Sequence, residues 1–315
     1  MKLRKALIPV AAAAGAALAE VYKYTFCRNG SRILNPMMDK RTHSADYYAH
    51  RDGAAQALRE APQLRFAMRS ERGELLRGFY YPCGEKPCGR IAFLIHGYRS
   101  EHAEAAGMYY EYYKSRGFDL FCCDNTAAGE SEGRYIGFDV FESRDCLKWL
   151  DFLQERFGAD IQVILHGFSM GGGTVLSMSD RCPPCVRFIV DDCGFSSPVD
   201  SLRRRLGLLV WPLGAINRVV AGYSLRDGDV RPHMLRATLP ILFVHGTDDH
   251  TVPFAMGREL YELYPGAKDH LFVEGAHHVE SMHRAPEAYA AKLDEFIGKY
   301  IRTVYAEQRK QPSDR

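Results

Sequence analysis

Short apolar runs recur along the chain after residue 62, and each is almost continuously apolar rather than alternating with polar positions. Runs of this kind are typical of strands buried on both faces of a parallel sheet. They are IAFLIHG (91–97), FDLFCCD (118–124), IQVILHG (161–167), RFIVDDCG (187–194), PILFVHG (240–246) and HLFVEG (270–275). The pattern therefore predicts six buried, mostly parallel strands.

Two extended segments precede these runs, and segments with helical periodicity separate them. LRFAMRS (64–70) and ELLRGFYYP (74–82) flank the turn signal Arg72-Gly73, which predicts a hairpin. Segments 104–117 and 141–158 carry apolar residues at helical spacing and end in glycine, as helices often do. Alternating strands and helices favour parallel pairing with right-handed crossovers. We therefore predict an α/β fold with a mostly parallel eight-stranded sheet flanked by helices.

One connection is much longer than the others, because roughly 40 residues separate Asp192 from Pro240. A loop of this length is expected to be structured or functional. Its apolar positions predict a small helical lid over the end of the sheet, at about residues 198–238. The positions expected on its inner face are Leu206, Leu208, Leu209, Val210, Trp211, Leu213 and Ile216.

The N-terminus has the order of features found in a secretory signal. Basic residues within 2–5 precede the apolar run 6–19, which ends in the small-residue pattern Ala17-Leu18-Ala19. The run is shorter than the roughly 20 residues of a bilayer span. A signal anchor extended through residues 20–26 and an alanine-rich helix packed on the domain are the alternatives. Export or membrane anchoring, with the main domain outside the cytoplasm, is the expected localisation, and a cytoplasmic location is the alternative.

Length and composition fit one large α/β domain or at most two domains. The chain has 315 residues, of which 46% are hydrophobic, and a net charge of +2. No basic stripe indicates a nucleic-acid partner. The expected parts are a signal-peptide or anchor-like segment (1–19), a helical extension (20–62), the α/β domain (63–305) and a polar tail (306–315). The sequence leaves the oligomeric state open.

The cysteines argue against export and against a metal site. Their number is nine, so they cannot pair completely, and exported domains tend to pair their cysteines. Cys83, Cys88, Cys182 and Cys185 lack a familiar zinc-ligand spacing. We interpret the cysteines as unremarkable thiols and predict no metal.

One serine lies at a strand-to-helix turn rich in glycine. In LHGFSMGGGT (165–174), Ser169 follows a predicted strand, opens a predicted helix and has glycine two residues away on each side. Such a turn bends sharply enough to expose a serine hydroxyl at the carboxyl edge of the sheet. Ser169 is therefore the candidate nucleophile.

A serine nucleophile needs a base, and the base needs an orienting acid. Asp248 and Asp249 follow the strand at 240–246, and His277 and His278 follow the next strand. Serine, acid and histidine thus occur in this order at the carboxyl ends of successive strands, where ligands bind in open α/β sheets.

These motifs resemble the α/β-hydrolase superfamily over about residues 64–302, and most closely its bacterial branch of esterases, lipases and serine-aminopeptidase-like hydrolases. HGTDDHTVP matches the branch pattern H-G-x-x-D-x-x-V-P, which implies Asp249 as the acid. GAHHVES matches G-A-x-H-x-x-S, which implies His278 as the base, with His277 as the alternative. In DNTAAGESEG, Thr126 and Ala127 replace the arginine and first glycine of the branch's turn, which weakens the match to this subgroup.

The resemblance also implies an oxyanion hole made by backbone N–H groups. Met170 follows the nucleophile, and Tyr98 lies in the loop after the first parallel strand. His96 in the same loop is interpreted as structural. The implied reaction is cleavage of a carboxylic ester in a small acyl substrate through an acyl-enzyme, without a cofactor or metal.

Other activities can use the same three residues. Thioesterase, acyltransferase and peptidase activity are the alternatives, since fold and triad do not fix the acyl donor. The predicted lid is basic and apolar, which suits a peptidase's amine substrate less well than apolar or anionic acyl groups. The alternative of a different class is a ligand-binding protein that keeps the fold without catalysis. Membrane association through the N-terminal segment is a further expectation.

Overall fold

The computed structural model describes residues 2–35 and 43–302, with side chains described from residue 12 onward. Within them, eight strands form one sheet in the order β1-β2-β4-β3-β5-β6-β7-β8. Strand β2 is antiparallel to both of its neighbours, and all the other pairs are parallel. The predicted eight-stranded, mostly parallel sheet is therefore confirmed. The strands are β1 (Leu64–Arg69), β2 (Leu75–Tyr81), β3 (Arg90–Ile95), β4 (Asp119–Asp124), β5 (Gln162–Phe168), β6 (Val186–Asp192), β7 (Ile241–Gly246) and β8 (Lys268–Val273).

Helices cover both faces of the sheet and its carboxyl end. The α-helices are α1 (Lys2–Phe26), α2 (Ala45–Glu60), α3 (His102–Ser115), α4 (Val140–Phe157), α5 (Met170–Ser177), α6 (Pro198–Leu206), α7 (Val210–Val220), α8 (Arg231–Met234), α9 (Phe254–Leu263), α10 (Ser281–Arg284) and α11 (Pro286–Tyr300). Two 3₁₀ turns, Gly207–Leu209 and Leu225–Gly228, connect α6 to α7 and α7 to α8.

The strands are apolar on both sides because each side packs against a separate core. In β3, Ile91, Phe93 and Ile95 belong to one buried cluster, together with side chains of α4, α5 and α9. Ala92 and Leu94 belong to the cluster on the opposite face, with side chains of α2, α3 and α11. Successive strand residues point to opposite faces. The nearly continuous apolar runs are therefore those of strands buried between two helical layers.

A third apolar cluster, which we call the end cluster, joins the N-terminal helix to the neighbourhood of Ser169. It includes Tyr22 and Phe26 of α1, Leu213 of α7, and also Phe138 and Met170. Met170 is the residue that follows Ser169 in the chain. The end cluster therefore lies beside the candidate nucleophile.

The predicted lid segment is helical, and its outward face differs from the prediction. Val210 and Leu213 are buried as expected, whereas Leu208, Leu209 and Trp211 have 76%, 46% and 47% of their surface exposed. The prediction was wrong for these three. Val210, Leu213 and Asn217, at helical spacing, form the inner side of α7, and Leu208 and Leu209 lie in the 3₁₀ turn before it. We call residues 198–234 the helical insertion; its action as a lid stays a prediction.

The N-terminal helix has no break at residue 19. Helix α1 continues to Phe26, so the predicted boundary between residues 1–19 and 20–62 falls inside it. Residues 36–42 of the predicted extension and the tail 306–315 lie outside the described residues. Among the described residues no single helix has both the length and the apolar character of a bilayer span. The bent pair Pro198–Val220 and Leu225–Met234, at 99°, meets that test only when its two parts are combined.

Candidate active site

Ser169 lies on a strained turn between β5 and α5. Its backbone has φ +55°, a left-handed conformation that residues with side chains rarely adopt. A Cβ on Gly167 would lie 2.0 Å from the Gly171 carbonyl oxygen, and a Cβ on Gly171 would lie 2.0 Å from that of Ile95. Glycine is required at both positions because the opposing atoms belong to the backbone. The glycines predicted to permit the turn therefore do so by close backbone approach.

Ser169, His278 and Asp249 form a continuous hydrogen-bonded chain. His278 Nε2 is 2.7 Å from Ser169 Oγ, and His278 Nδ1 is 2.6 Å from Asp249 Oδ2. Because an ionised carboxylate only accepts hydrogen bonds, Nδ1 carries the proton and Nε2 is available to accept the serine hydroxyl proton. The other carboxylate oxygen, Asp249 Oδ1, accepts the backbone N–H groups of Thr251 and Val252 at 2.8 and 2.9 Å.

The electrostatics of Asp249 favour its charged form. Burial alone would raise the pKa of this carboxyl group. The electrostatic interaction with His278, together with hydrogen bonds from His245 and His278, outweighs burial and holds the pKa of Asp249 well below its ordinary value. Asp249 therefore stays ionised and can stabilise a protonated His278.

The second aspartate and the second histidine lie outside this chain of hydrogen bonds. Asp248 is exposed, and its backbone oxygen is 3.1 Å from His277 Nδ1. The structure therefore brings together Asp249 and His278, the pair that the motif match favours over their neighbours Asp248 and His277.

The loop that carries Tyr98 lies against the nucleophile. A Cβ on Gly97 would lie 3.1 Å from Ser169 Cβ and 3.6 Å from Ser169 Oγ. Met170 begins α5, so its N–H has no acceptor one turn earlier in the helix. Tyr98 follows Gly97 and Met170 follows Ser169 in the chain, so both residues lie near the nucleophile, and the oxyanion hole formed by their N–H groups stays a prediction.

His96 holds this loop in place. Its Nε2 accepts the backbone N–H of Asn125 at 2.9 Å, so its Nδ1 carries the proton that is donated to the Gly97 carbonyl at 2.8 Å. Burial lowers the pKa of His96, which keeps the ring neutral. These contacts fit the structural role expected for His96.

The N-terminal helix contacts the same loop, a feature that the sequence did not predict. The Tyr98 hydroxyl donates to the carbonyl oxygens of Tyr24 and Thr25, both at 3.0 Å. The Arg99 guanidinium also donates to the Tyr24 carbonyl. Carbonyls in the last turn of a helix have no partner within the helix, so they are ready acceptors. The end of α1 is thereby fastened to the loop beside Ser169.

Residues near α2 contact the loop that carries His278. His43 Nδ1 is 2.9 Å from Glu280 Oε1, and Glu280 is buried. The Tyr47 hydroxyl lies 3.5 Å from the carbonyl oxygen of Val279. Segments far from the motifs thus support both loops, and periodicity alone carries no signal for such long-range contacts.

Two further side chains at the site went unrecognised in the sequence. His245 Nε2 lies 2.9 Å from the Val252 carbonyl oxygen and 3.4 Å from Asp249 Oδ2. Cys193 Sγ lies within 4.8 Å of a carboxylate oxygen of Asp249 and of a ring nitrogen of His278. Both residues lie at the carboxyl ends of strands, His245 in β7 and Cys193 just after β6, and that position is the signal that could have identified them.

The other cysteines do not assemble into one cluster. All nine cysteines are within the described residues, and none of these forms a disulfide. Cys83 and Cys88 lie close to Asp119, whose carboxylate already accepts both of their backbone N–H groups and the Tyr80 hydroxyl. Asp119 thus acts here as a structural acceptor that organises the β2–β3 connection.

Two family descriptions match parts of the chain. Residues 86–216 match the family described as "Serine aminopeptidase, S33". Residues 162–288 match the family described as "Serine hydrolase (FSH1)". Together these matches cover the segments that contain Tyr98, Ser169, Asp249 and His278.

Individual relatives and solved structures agree with these matches. The chain is 23% identical over 251 residues to the protein YqkD of Bacillus subtilis (strain 168), covering 77% of this chain and 81% of that protein. It is 26% identical over 234 residues to alpha/beta hydrolase domain-containing protein 17C of Xenopus laevis, covering 74% and 68%. The fold is similar to that of the Pyrococcus furiosus esterase Pf2001, with a TM-score of 0.61, 17% identity, and 77% and 94% coverage.

Proposed function

The chain belongs to the α/β-hydrolase superfamily and is a serine hydrolase, and from this premise we propose that it cleaves carboxylic esters through Ser169, His278 and Asp249. The observation that carries the proposal is the continuous chain of hydrogen bonds from Ser169 Oγ through His278 to Asp249, at 2.7 and 2.6 Å. A nucleophile within reach of its base, and a base oriented by an acid, are the geometric requirements of this chemistry.

The reaction begins when Ser169 Oγ attacks the ester carbonyl carbon. His278 Nε2 takes the hydroxyl proton as the new C–O bond forms, and Asp249 stabilises the resulting imidazolium. The negative charge moves to the former carbonyl oxygen, where the N–H groups of Tyr98 and Met170 meet it. Collapse of this intermediate breaks the bond to the alcohol, which leaves with the proton from His278.

The second half of the reaction repeats these roles with water. His278 takes a proton from a water molecule, which attacks the acyl carbon bound to Ser169. The oxyanion again lies between Tyr98 and Met170, and the serine regains its proton as the acid is released. All the proton transfers use His278, so no cofactor or metal takes part in the proposed steps.

The surroundings of Ser169 favour an apolar acyl group over a peptide substrate. The end cluster contains Met170, the residue after Ser169, together with Phe138 and Leu213. Between Ser201 and Arg226 the helical insertion contains no aspartate or glutamate that could bind a substrate amine. The thioesterase and acyltransferase alternatives share this apolar environment and differ from esterase activity only in the leaving group or the acceptor.

A panel of acyl substrates tests the proposal. We expect hydrolysis of p-nitrophenyl esters from acetate to laurate, with rates that depend on chain length, and loss of that activity in Ser169→Ala. The matched control is Ser115→Ala, a change of an exposed serine in α3, which should retain full activity. Hydrolysis of acyl thioesters or aminoacyl anilides in preference to every ester would contradict the ester assignment. Activity retained in Ser169→Ala would contradict the nucleophile.

A further inference from the structure

Helix α7 is apolar on the side that faces solvent as well as on the side that faces the protein. Its inner side consists of Val210, Leu213 and Asn217, all buried. A second stripe at spacings of three and four residues faces outward, and it is formed by Leu208 of the preceding 3₁₀ turn together with Trp211, Ala215 and Val219 of α7. Leu208, Trp211 and Val219 have 76%, 47% and 85% of their surface exposed. We call these four residues the outer stripe.

This exposure is concentrated in one part of the molecule. Eight large hydrophobic residues are exposed among those described, and five of them lie between residues 208 and 220. Besides three members of the outer stripe, the five include Leu209 and Val220, 46% and 47% exposed. Scattered apolar residues on a surface are ordinary, but a contiguous patch on one helix usually marks an interaction site.

Exposed arginines flank the outer stripe. Arg203, Arg204 and Arg205 end α6, Arg218 lies on α7, and all four are exposed. None of the four forms an ion pair with another described residue. The stretch from Ser201 to Arg226 contains five arginines and no acidic residue. These four arginines therefore present positive charge that is not paired with a described carboxylate.

Helix α1 adds a second apolar surface next to this one. The Tyr22 hydroxyl of α1 donates to Asn217 Oδ1 of α7 at 3.3 Å, so the two helices pack together. Residues 12–17 of α1 are alanines and glycine, and all of them are exposed. The sequence of α1 also begins with the basic residues Lys2, Arg4 and Lys5.

We propose that the outer stripe and its flanking arginines dock on the surface of an anionic phospholipid bilayer. Leucine, valine and tryptophan side chains enter the boundary between headgroups and acyl chains, and the arginines contact lipid phosphates. The charge of the patch favours lipid over a second copy of this chain. A twofold contact would place the four arginines of one copy against the same patch of the other, and no acidic residue of the 201–226 stretch would compensate them.

The docked face also adjoins the candidate active site. Helix α7 contributes Leu213 to the end cluster, which contains Met170 beside Ser169. Docking would therefore place the neighbourhood of Ser169 close to the lipid boundary. The inference itself concerns binding and does not depend on the proposed ester chemistry.

Binding to vesicles tests the proposal, using the full-length Ser169→Ala chain so that hydrolysis cannot alter the lipid. We expect co-sedimentation with vesicles of phosphatidylcholine and phosphatidylglycerol, weaker binding at high salt, and little binding to phosphatidylcholine alone. Combined replacement of Leu208, Trp211 and Val219 by serine, or of Arg203, Arg204 and Arg205 by glutamine, should weaken binding at least tenfold. The matched control is Leu64→Ser, which changes an exposed apolar residue of β1.

Tryptophan fluorescence locates the contact. The chain has two tryptophans, and Trp149 is fully buried whereas Trp211 belongs to the outer stripe. Vesicle binding should shift the emission of Trp211 to shorter wavelength, and lipids brominated on the acyl chain should quench it.

Three results would overturn the proposal. The first is absence of vesicle binding. The second is equal binding by the two triple variants and their parent, which would place the contact on α1 alone. The third is a concentration-dependent dimer that the serine triple variant abolishes. Because binding is measured in an inactive variant, the failure of ester hydrolysis in the wild type would leave this test unaffected.

Discussion

The contact between Tyr98 and the end of α1 predicts that the Tyr98 hydroxyl affects catalysis without touching the substrate. Replacing Tyr98 by phenylalanine removes only the hydroxyl and keeps the ring, whose centroid lies 5.5 Å from that of the Phe138 ring. Burial raises the pKa of Tyr98 to about 12, so the hydroxyl is protonated and donates. The change therefore removes the donor shared by the Tyr24 and Thr25 carbonyls.

The expected magnitude follows from the number of protons involved. One hydroxyl proton is shared between two acceptors, so the loss is about that of one neutral hydrogen bond, roughly 1 kcal/mol. If that energy holds the Tyr98 N–H in position for the oxyanion, kcat should fall about fivefold. KM should change little, since the oxyanion forms only after substrate binding.

The assay is steady-state hydrolysis of a p-nitrophenyl ester by Tyr98→Phe, with Tyr264→Phe as the control. The Tyr264 hydroxyl also donates to a backbone carbonyl, that of Leu239. Tyr264 does not belong to the end cluster but to the buried cluster that contains Phe93 of β3 and Leu260 of α9. It should lose comparable stability without losing kcat. Wild-type kcat in Tyr98→Phe, or an equal fall in both variants, would refute a positioning role for the contact.

Two further predictions concern stability. Gly171→Ala should destabilise the fold by about 3 kcal/mol in urea denaturation, because the new Cβ would lie 2.0 Å from the Ile95 carbonyl oxygen. The control Gly84→Ala should leave stability unchanged, since a Cβ there would have no atom within 4 Å. Equal stability of the two variants would contradict the steric account. For Glu101, burial opposes ionisation, but His102, the Ala103 N–H and Arg59 lower its pKa from the ordinary 4.5 to about 2. The ionised carboxylate then stabilises the folded state above about pH 4.5, and this stabilisation is lost as the pH falls toward 2. The free energy of unfolding of the wild type should therefore exceed that of Glu101→Gln by up to about 3 kcal/mol at pH 7 and by much less at pH 3. A difference independent of pH would contradict this.

Local patterns predicted the sheet and the residues at its carboxyl edge. The runs buried between two cores correspond to β3 to β7. The sixth run forms β8, which was predicted to be buried but lies at the edge of the sheet and is only partly buried. The candidate nucleophile, acid and base follow β5, β7 and β8. The same reasoning could distinguish Asp249 from Asp248 only through a motif, since both follow β7. The structure separates them physically, because Asp249 accepts from Thr251, Val252 and His278 whereas Asp248 is exposed.

Contacts between distant segments could not be predicted in this way. The attachment of Tyr98 to α1 joins residues more than 70 positions apart, and no periodicity records it. The orientation of α7 was misjudged because that helix is apolar on both sides, so its pattern does not indicate which side packs inward. Cys193 and His245 were overlooked because each is an ordinary core residue type unless its position at a strand end is considered.

The most direct test of the central claim is to identify the residue that reacts with a fluorophosphonate probe. The probe should phosphonylate Ser169 in the wild-type chain, and mass spectrometry of the digested protein should find the label on the peptide containing HGFSMGGG. Labelling should slow by several orders of magnitude in His278→Ala, since the serine then lacks its base. Labelling of a different serine, or an unchanged labelling rate in a folded His278→Ala, would contradict the account.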